Sequence, residues 1–194
     1  MKNLLKIKGL VYFLLLLSCK HPESKADERY YVNSDKTKTE VANEPTYKVI
    51  GVKDGDTFSV LMDGEEQTVR FAHIDCPEKK QAFGNKAKQF VSDMCFGTNV
   101  SLIYNKKNKY DRNKRLIAEI ILEDGRNLNK ELVKNGLAWH FKKYSDSEEY
   151  AALENEARKN KIGVWTEKNP IAPWAWRKLS KAEKLRITQS VATP

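Results

Sequence analysis

Three acidic residues, Asp56, Asp75 and Glu78, occupy positions where a carboxylate could do chemistry, and two arginines, Arg70 and Arg115, are spaced to work with them. Asp56 follows a glycine in Asp54-Gly55-Asp56, between two apolar runs, while Asp75 and Glu78 flank Pro77. Hard cations such as calcium take several oxygen ligands, and carboxylates on turns beside rigid strands can supply them. Arg70 lies five residues before Asp75, and Arg115 opens an apolar run after a strongly basic loop. The planar fork of a guanidinium matches the oxygens of a phosphate. Carboxylates, a cation and two arginines outline a phosphoryl-transfer site. Each residue alone has a plainer use: Asp-Gly makes turns, Glu78 suits the first turn of a helix, and either arginine could pair on the surface. Their joint spacing carries the reading.

Such side chains need rigid carriers, and the apolar pattern supplies them. Residues 47–50 and 58–61 are short β-type runs joined through Asp54-Gly55-Asp56; 67–74 is a third, with Val69, Phe71 and Ala72 facing inward. Residues 100–104 and 116–122 bring the strands to five. Met62-Asp63-Gly64-Glu65 predicts a hairpin with Asp-Gly at its tip, and Glu123-Asp124-Gly125-Arg126 a second turn. Phe83, Ala87, Phe90, Val91 and Met94 recur at helical steps as one apolar stripe. Leu128, Leu132 and Val133 do likewise, with Gly136 as a left-handed stop. Residues 147–159 carry Tyr150, Leu153 and Ala157 on one face, with Ser145 or Ser147 available as a cap. Three strands, a helix, two strands and two helices predict an α+β domain: an OB-type five-stranded β-barrel with about three α-helices packed outside it.

A chain of 194 residues has room for one such domain plus accessory segments. Its formal net charge of +9 favours polyanionic partners, whether nucleic acid, anionic lipid or acidic polysaccharide, although a soluble basic protein would carry the same charge. Lys2, Lys6 and Lys8 precede an apolar run over 10–17. That run is shorter than the roughly 20 residues a spanning helix needs, but it suits a secretory signal. Leu16-Leu17-Ser18-Cys19 resembles the bacterial lipobox, which implies cleavage before Cys19 and lipid attachment there; an ordinary signal peptide with an incidental cysteine is the alternative. Loss of the three lysines would leave a charge of +6. The polar residues that follow bury too little to offset their ordering entropy and read as a flexible tether, with Tyr30-Tyr31-Val32 as a possible short strand. The expected organisation is a lipoprotein signal peptide (1–18), a tether (19–45), the folded domain (46–177) and a polar, basic tail (178–194). The expected place is the cell envelope, membrane-anchored through lipid and facing the periplasm or the exterior.

Five motifs then fall in a familiar order. They are Val52-Lys53-Asp54-Gly55-Asp56-Thr57; Val69-Arg70-Phe71-Ala72-His73-Ile74-Asp75-Cys76-Pro77-Glu78; Asp111-Arg112-Asn113-Lys114-Arg115 with Ala118; Leu128-Asn129 through Gly136-Leu137-Ala138; and Gly163-Val164-Trp165 with Pro173-Trp174-Ala175-Trp176-Arg177. In these the sequence resembles the thermonuclease (staphylococcal nuclease-like) family. The resemblance implies a calcium-dependent endonuclease that hydrolyses phosphodiester bonds of DNA and RNA, preferring single strands, with low sequence specificity and as a monomer. It implies that Asp56 and Asp75 bind Ca2+ through their carboxylates and Cys76 through its backbone carbonyl. Glu78 would hold or deprotonate the attacking water. Arg70 and Arg115 would neutralise charge developing at phosphorus, and Tyr144 would contact a nucleotide. The family commonly reads Asp-Lys/Arg-Tyr-Gly-Arg in the loop before its second arginine. Here Asn113 and Lys114 replace the Tyr and Gly, which bears on how Arg115 is presented.

In an exported protein the two remaining cysteines, Cys76 and Cys95, can pair. A disulfide would close a loop of about 20 residues, worth roughly 3 kcal/mol in a chain-entropy model; free buried thiols are the alternative. A zinc site from His73, Cys76 and Cys95 would need a fourth ligand. His140 reads as a packing residue, and Trp165, Trp174 and Trp176 as staples for the C-terminal segment. The competing function is a barrel that holds single strands without cutting them, for which the full set of Asp56, Asp75, Glu78, Arg70 and Arg115 would be unnecessary. A surface adhesion or scaffold lipoprotein has only the tether to support it.

Overall fold

The computed structural model of the chain describes residues 45–192, so the signal segment, Cys19 and the tether up to residue 44 lie outside the described residues. Strands β1 (Thr46–Asp54), β2 (Thr57–Met62) and β3 (Glu65–Phe71) form an antiparallel meander. Asp63 and Gly64 alone join β2 to β3, both at positive φ (53° and 84°), as a tight primed hairpin requires. Strands β5 (Asn99–Ile103) and β6 (Leu116–Leu122) pair antiparallel, and β5 returns to β1. Strand β6 lies parallel to β3, so the order β1-β2-β3-β6-β5 closes into the five-stranded barrel that the sequence predicts. In that parallel joint Arg70 sits opposite Ile117. The strand carrying the first arginine therefore runs beside the strand that begins just after Arg115.

The barrel interior is built from alternate residues of each strand: Val49, Phe58, Val60, Val69, Phe71, Val100, Leu102, Leu116, Ala118 and Ile120. Phe58 and Phe71 meet edge to face with centroids 4.9 Å apart, a pairing worth roughly 0.5–1.5 kcal/mol beyond its buried area. It locks β2 to β3 just behind Asp56 and Arg70. Strand β6 is buried on both faces, because Ile117 and Ile121 pack with Ala72 and Ile103 in a second cluster.

Three helices close the ends of the barrel: α1 (Gly84–Cys95), α2 (Leu128–Lys134) and α3 (Glu148–Lys159). Helix α1 buries Ala87, Val91 and Cys95, with Phe83, Phe90 and Met94 packed along the edge of that stripe. Helix α2 stops at Gly136, which adopts φ 60° as expected. The side chain of Ser147, not Ser145, caps α3 by accepting the Tyr150 N–H.

Two features depart from the sequence reading. The run 67–74 is not one strand: it breaks after Phe71, His73 adopts φ 66°, and β4 (Ile74–Asp75) pairs separately with β7 (Trp139–His140). The break is held from outside the run, by the buried Asn129 of α2, whose Nδ2 donates to Ala72 O (2.9 Å) and Ala118 O (3.3 Å) while its Oδ1 accepts from Ile120 N. The second departure concerns Cys76 and Cys95, which are buried, free thiols and not a disulfide. Each donates to its own nearby carbonyl, Cys76 to Gly55 O (3.2 Å) and Cys95 to Val91 O (3.1 Å).

Beyond α3 the chain makes a 3₁₀ turn (Gly163–Thr166), a single helical turn α4 (Pro173–Trp176) and helix α5 (Lys181–Ala192). Trp165 and Trp176 are buried, and Trp174 stacks on Phe141. The tryptophans do staple this segment to the domain.

Candidate active site

The first acidic turn is set by packing. A Cβ on Gly55 would come within 2.7 Å of the Ala87 Cβ and 2.9 Å of the Cys76 Cβ, so only glycine lets the β1–β2 turn lie against α1 and the second acidic turn. Asp56 is then held from both sides. Its backbone carbonyl accepts from Phe71 N (2.9 Å), its Oδ2 from Cys76 N (2.6 Å) and its Oδ1 from the Thr57 hydroxyl (3.2 Å). Asp54 lies behind it and accepts from Asp56 N (3.1 Å). Burial, and after it the neighbouring Asp56 carboxylate, push the Asp54 carboxyl up to about 6.

Arg70 joins the two acidic turns. Its Nη2 lies 2.9 Å from Asp75 Oδ1 and 3.2 Å from Asp56 Oδ2, while Nη1 donates to the carbonyls of Phe71 (3.0 Å) and Ile74 (3.1 Å). A bend after β3 is what brings those two carbonyls within reach of one guanidinium. Asp75 itself is 1% exposed. Burial works against its ionised form, while the guanidinium groups of Arg177 and Arg70 work for it; the net effect leaves the carboxyl above its ordinary value.

Glu78 is positioned through its main chain. Its N–H donates to Gln81 Oε1 (3.1 Å), and Gln81 Nε2 donates to Ile171 O (2.5 Å). Gly84, the first residue of α1, presses on the same loop: a Cβ there would fall 2.0 Å from Glu78 O. The carboxylate, half exposed, accepts from Arg177 Nη1 at 2.8 Å.

Arg115 is placed by its own loop. Asp111 accepts from the N–H groups of Asn113 (2.8 Å) and Arg115 (2.9 Å) through Oδ1, and holds the Arg115 guanidinium through Oδ2 (Nε 2.8 Å, Nη2 2.7 Å). Lys114 takes the left-handed conformation, φ 59°, at the position where glycine is usual. Lys114 thus supplies the positive φ of this turn, and Asp111 fixes Arg115 beside a groove of about 1290 Å³. The same groove is lined by Arg70, Asp75, Tyr144, Trp174 and Arg177. Asp56 and Glu78 connect to it through Arg70 and Arg177.

The donor set suits a hard cation. Two carboxylates, Asp56 and Asp75, touch a single nitrogen of Arg70, so one small cation could reach both. Burial first, then Asp56, push the Cys76 thiol well up, so a soft thiolate ligand is not on offer. Among the described residues no group of three or more His, Cys, Asp or Glu side chains forms a metal cage. The residues of the zinc reading are bonded separately: His73 Nδ1 pairs with the Ser145 hydroxyl (2.8 Å), and Cys76 and Cys95 each donate to a carbonyl of their own. His140 is buried and shares that hydroxyl through Nε2 (2.8 Å), a packing role as expected.

Arg177 is the residue that sequence reasoning left without a role. Its Nη2 lies 2.6 Å from Asp75 Oδ2, and it bridges on to Glu78. The signal was present in Pro173-Trp174-Ala175-Trp176-Arg177: tryptophans that anchor a terminal segment also fix the charge that follows them.

A closed five-stranded barrel with paired acidic turns and arginines at its mouth defines a class of phosphodiester-cleaving domains, and the comparisons agree. Residues 68–167 match the family model for staphylococcal nuclease homologues. An uncharacterized endonuclease of Haemophilus influenzae is 39% identical over 137 residues, 70% of this chain and 75% of the relative. A micrococcal nuclease of Shigella flexneri is 34% identical over 142 residues, 69% of this chain and 81% of the relative. The chain belongs to the staphylococcal nuclease homologue family. It is a nuclease, a hydrolase acting on phosphodiester bonds, and nucleic acid is its substrate.

Proposed function

We propose that the protein is a calcium-dependent endonuclease acting on DNA and RNA with low sequence specificity, anchored at the cell envelope through a lipidated Cys19. The observation that carries the catalytic reading is the bridge made by Arg70 between the buried Asp75 and Asp56, beside a groove that Arg115 also lines. A groove meant only to hold a polyanion gains nothing from buried carboxylates facing it.

Asp56 and Asp75, with the backbone carbonyl of Cys76, would hold Ca2+, which when bound supplies charge stabilisation at the scissile phosphate. Glu78 holds and deprotonates the attacking water. Arg70 and Arg115 would place positive charge beside the scissile phosphate, where it counts most as negative charge builds at phosphorus. Tyr144, which lines the groove, would contact a nucleotide, and a grip on phosphates instead of base edges suits low sequence preference.

Replacing Arg70 by Lys tests the clamp. Lysine is a point charge that cannot span two carboxylates and two carbonyls at once. The variant should keep its far-ultraviolet dichroism and lose on the order of a hundredfold or more in kcat on single-stranded DNA. Unchanged turnover would refute the role of Arg70. For the anchor, Cys19→Ser should move the protein out of the membrane fraction of expressing cells, and an unaltered distribution would rule the lipid attachment out.

A further inference from the structure

Two arginines hold Asp75, and they differ in how firmly they are fixed. Arg70 has a side chain 15% exposed and is tied by Nη1 to two backbone carbonyls as well as to the acids. Arg177 is 44% exposed, and its guanidinium donates to the Asp75 and Glu78 carboxylates: Nη2 to Asp75 Oδ2 (2.6 Å), Nη1 to Asp75 Oδ1 (3.3 Å) and Nη1 to Glu78 Oε1 (2.8 Å).

The position of Arg177 is no accident of a loose tail. Pro173 starts α4 at a place where its missing N–H costs nothing, Trp176 is buried, and the Trp174 ring lies parallel to Phe141 at 5.3 Å. Gln81, in the loop after Glu78, ties down Ile171 just ahead of that turn. The backbone N–H of Arg177 donates to Pro173 O (2.9 Å). The fold thus delivers one long, solvent-facing cationic side chain, 102 residues distant in sequence, to the outward oxygen of a carboxylate that is 1% exposed.

Arg70 holds Oδ1, which Arg177 also touches, and Arg177 holds Oδ2, so both oxygens of Asp75 are engaged. A divalent cation taking that carboxylate would compete with the guanidinium for the same lone pairs and be repelled by its charge. We propose that Arg177 is an exchangeable plug. It satisfies Asp75 and Glu78 when no cation is present, and it must leave them for a divalent cation to bind. Its exposed attachment, made to carboxylates alone, makes it the more readily released of the two arginines, since Arg70 is tied to two backbone carbonyls as well. The plug keeps the acidic site neutralised and folded before loading, and it lowers the apparent affinity for the cation by the fraction of time the site is closed.

This inference rests on the proposed cation site, and calcium binding separates the two. The full chain and its Arg177→Ala, Arg177→Gln and Arg177→Lys variants are titrated with CaCl2 by isothermal calorimetry, and their thermal unfolding is followed with and without calcium. If the plug is off for about one-tenth of the time, the Ala and Gln variants bind calcium roughly tenfold tighter than wild type. They also unfold at lower temperature without calcium and gain more from its addition, while Lys lies in between. Calcium binding by the neutral variants alone, with none detected in wild type, supports the plug as well. Equal or weaker calcium affinity in both neutral variants, with their dichroism intact, overturns the plug and leaves the cation site standing. No calcium binding by any of the proteins overturns both.

Discussion

Cys76 stands beside Asp56 and Asp75, the two carboxylates proposed to hold the cation, and its chemistry depends on staying protonated there. Burial and the nearby Asp56 push its thiol well up, and burial alone pushes Cys95 up to about 12. A thiol reacts as its thiolate, so at pH 8 both should be inert while the protein is folded. In a Cys19→Ser background, a thiol-specific disulfide reagent should label neither cysteine in the native protein and both after denaturation without reductant. Rapid labelling of the native protein would contradict their burial, and no labelling after denaturation would show them bonded to each other. At this scale the acids and arginines were legible from type and spacing, because Asp-Gly-Asp and Arg-x₄-Asp place charges where strands end. The disulfide expectation failed because compartment and loop length say nothing of direction: each sulfur points to a carbonyl beside it, Gly55 O or Val91 O. Arg177 went unassigned because its partner, Asp75, lies 102 residues away in sequence.

At the scale of elements, alternation and turn chemistry revealed most of the barrel. The Asp63-Gly64 tip and the α1 stripe formed as read, since each is dictated by neighbours a few residues apart. What could not be read was anything imposed across the fold. Residues 67–74 have the composition of one strand, yet Asn129, arriving from α2, takes the carbonyl of Ala72 and the strand ends there. That interruption is functional, because it turns the carbonyls of Phe71 and Ile74 toward Arg70 and sets Asp75 on a ribbon of its own. The parallel pairing of β3 with β6 is likewise invisible in periodicity, and it sets the strand bearing Arg70 beside the strand that begins just after Arg115. Gly55 read as a turn residue; its reason is contact with Ala87 and Cys76. Lys114, by contrast, adopts a positive φ without being glycine, in a turn whose N–H groups at Asn113 and Arg115 are held by Asp111.

At the scale of the whole molecule, and under the proposed function, a net basic charge, +9 for the full chain and +6 after the expected signal cleavage, would draw a polyanion in, and Asp56 and Asp75 would set where it is cut. Tether and lipid, as proposed, would keep that activity at the cell surface, where the encounter is with nucleic acid outside the cytoplasm. The most direct test of the central claim is digestion of single-stranded DNA by the purified protein in calcium, in excess chelator, and after calcium is restored. A calcium-dependent nuclease built on Asp56 and Asp75 cleaves in the first condition, stops in the second and recovers in the third. Cleavage that continues undiminished in chelator, or binding of the strand with no cleavage in any condition, would contradict it.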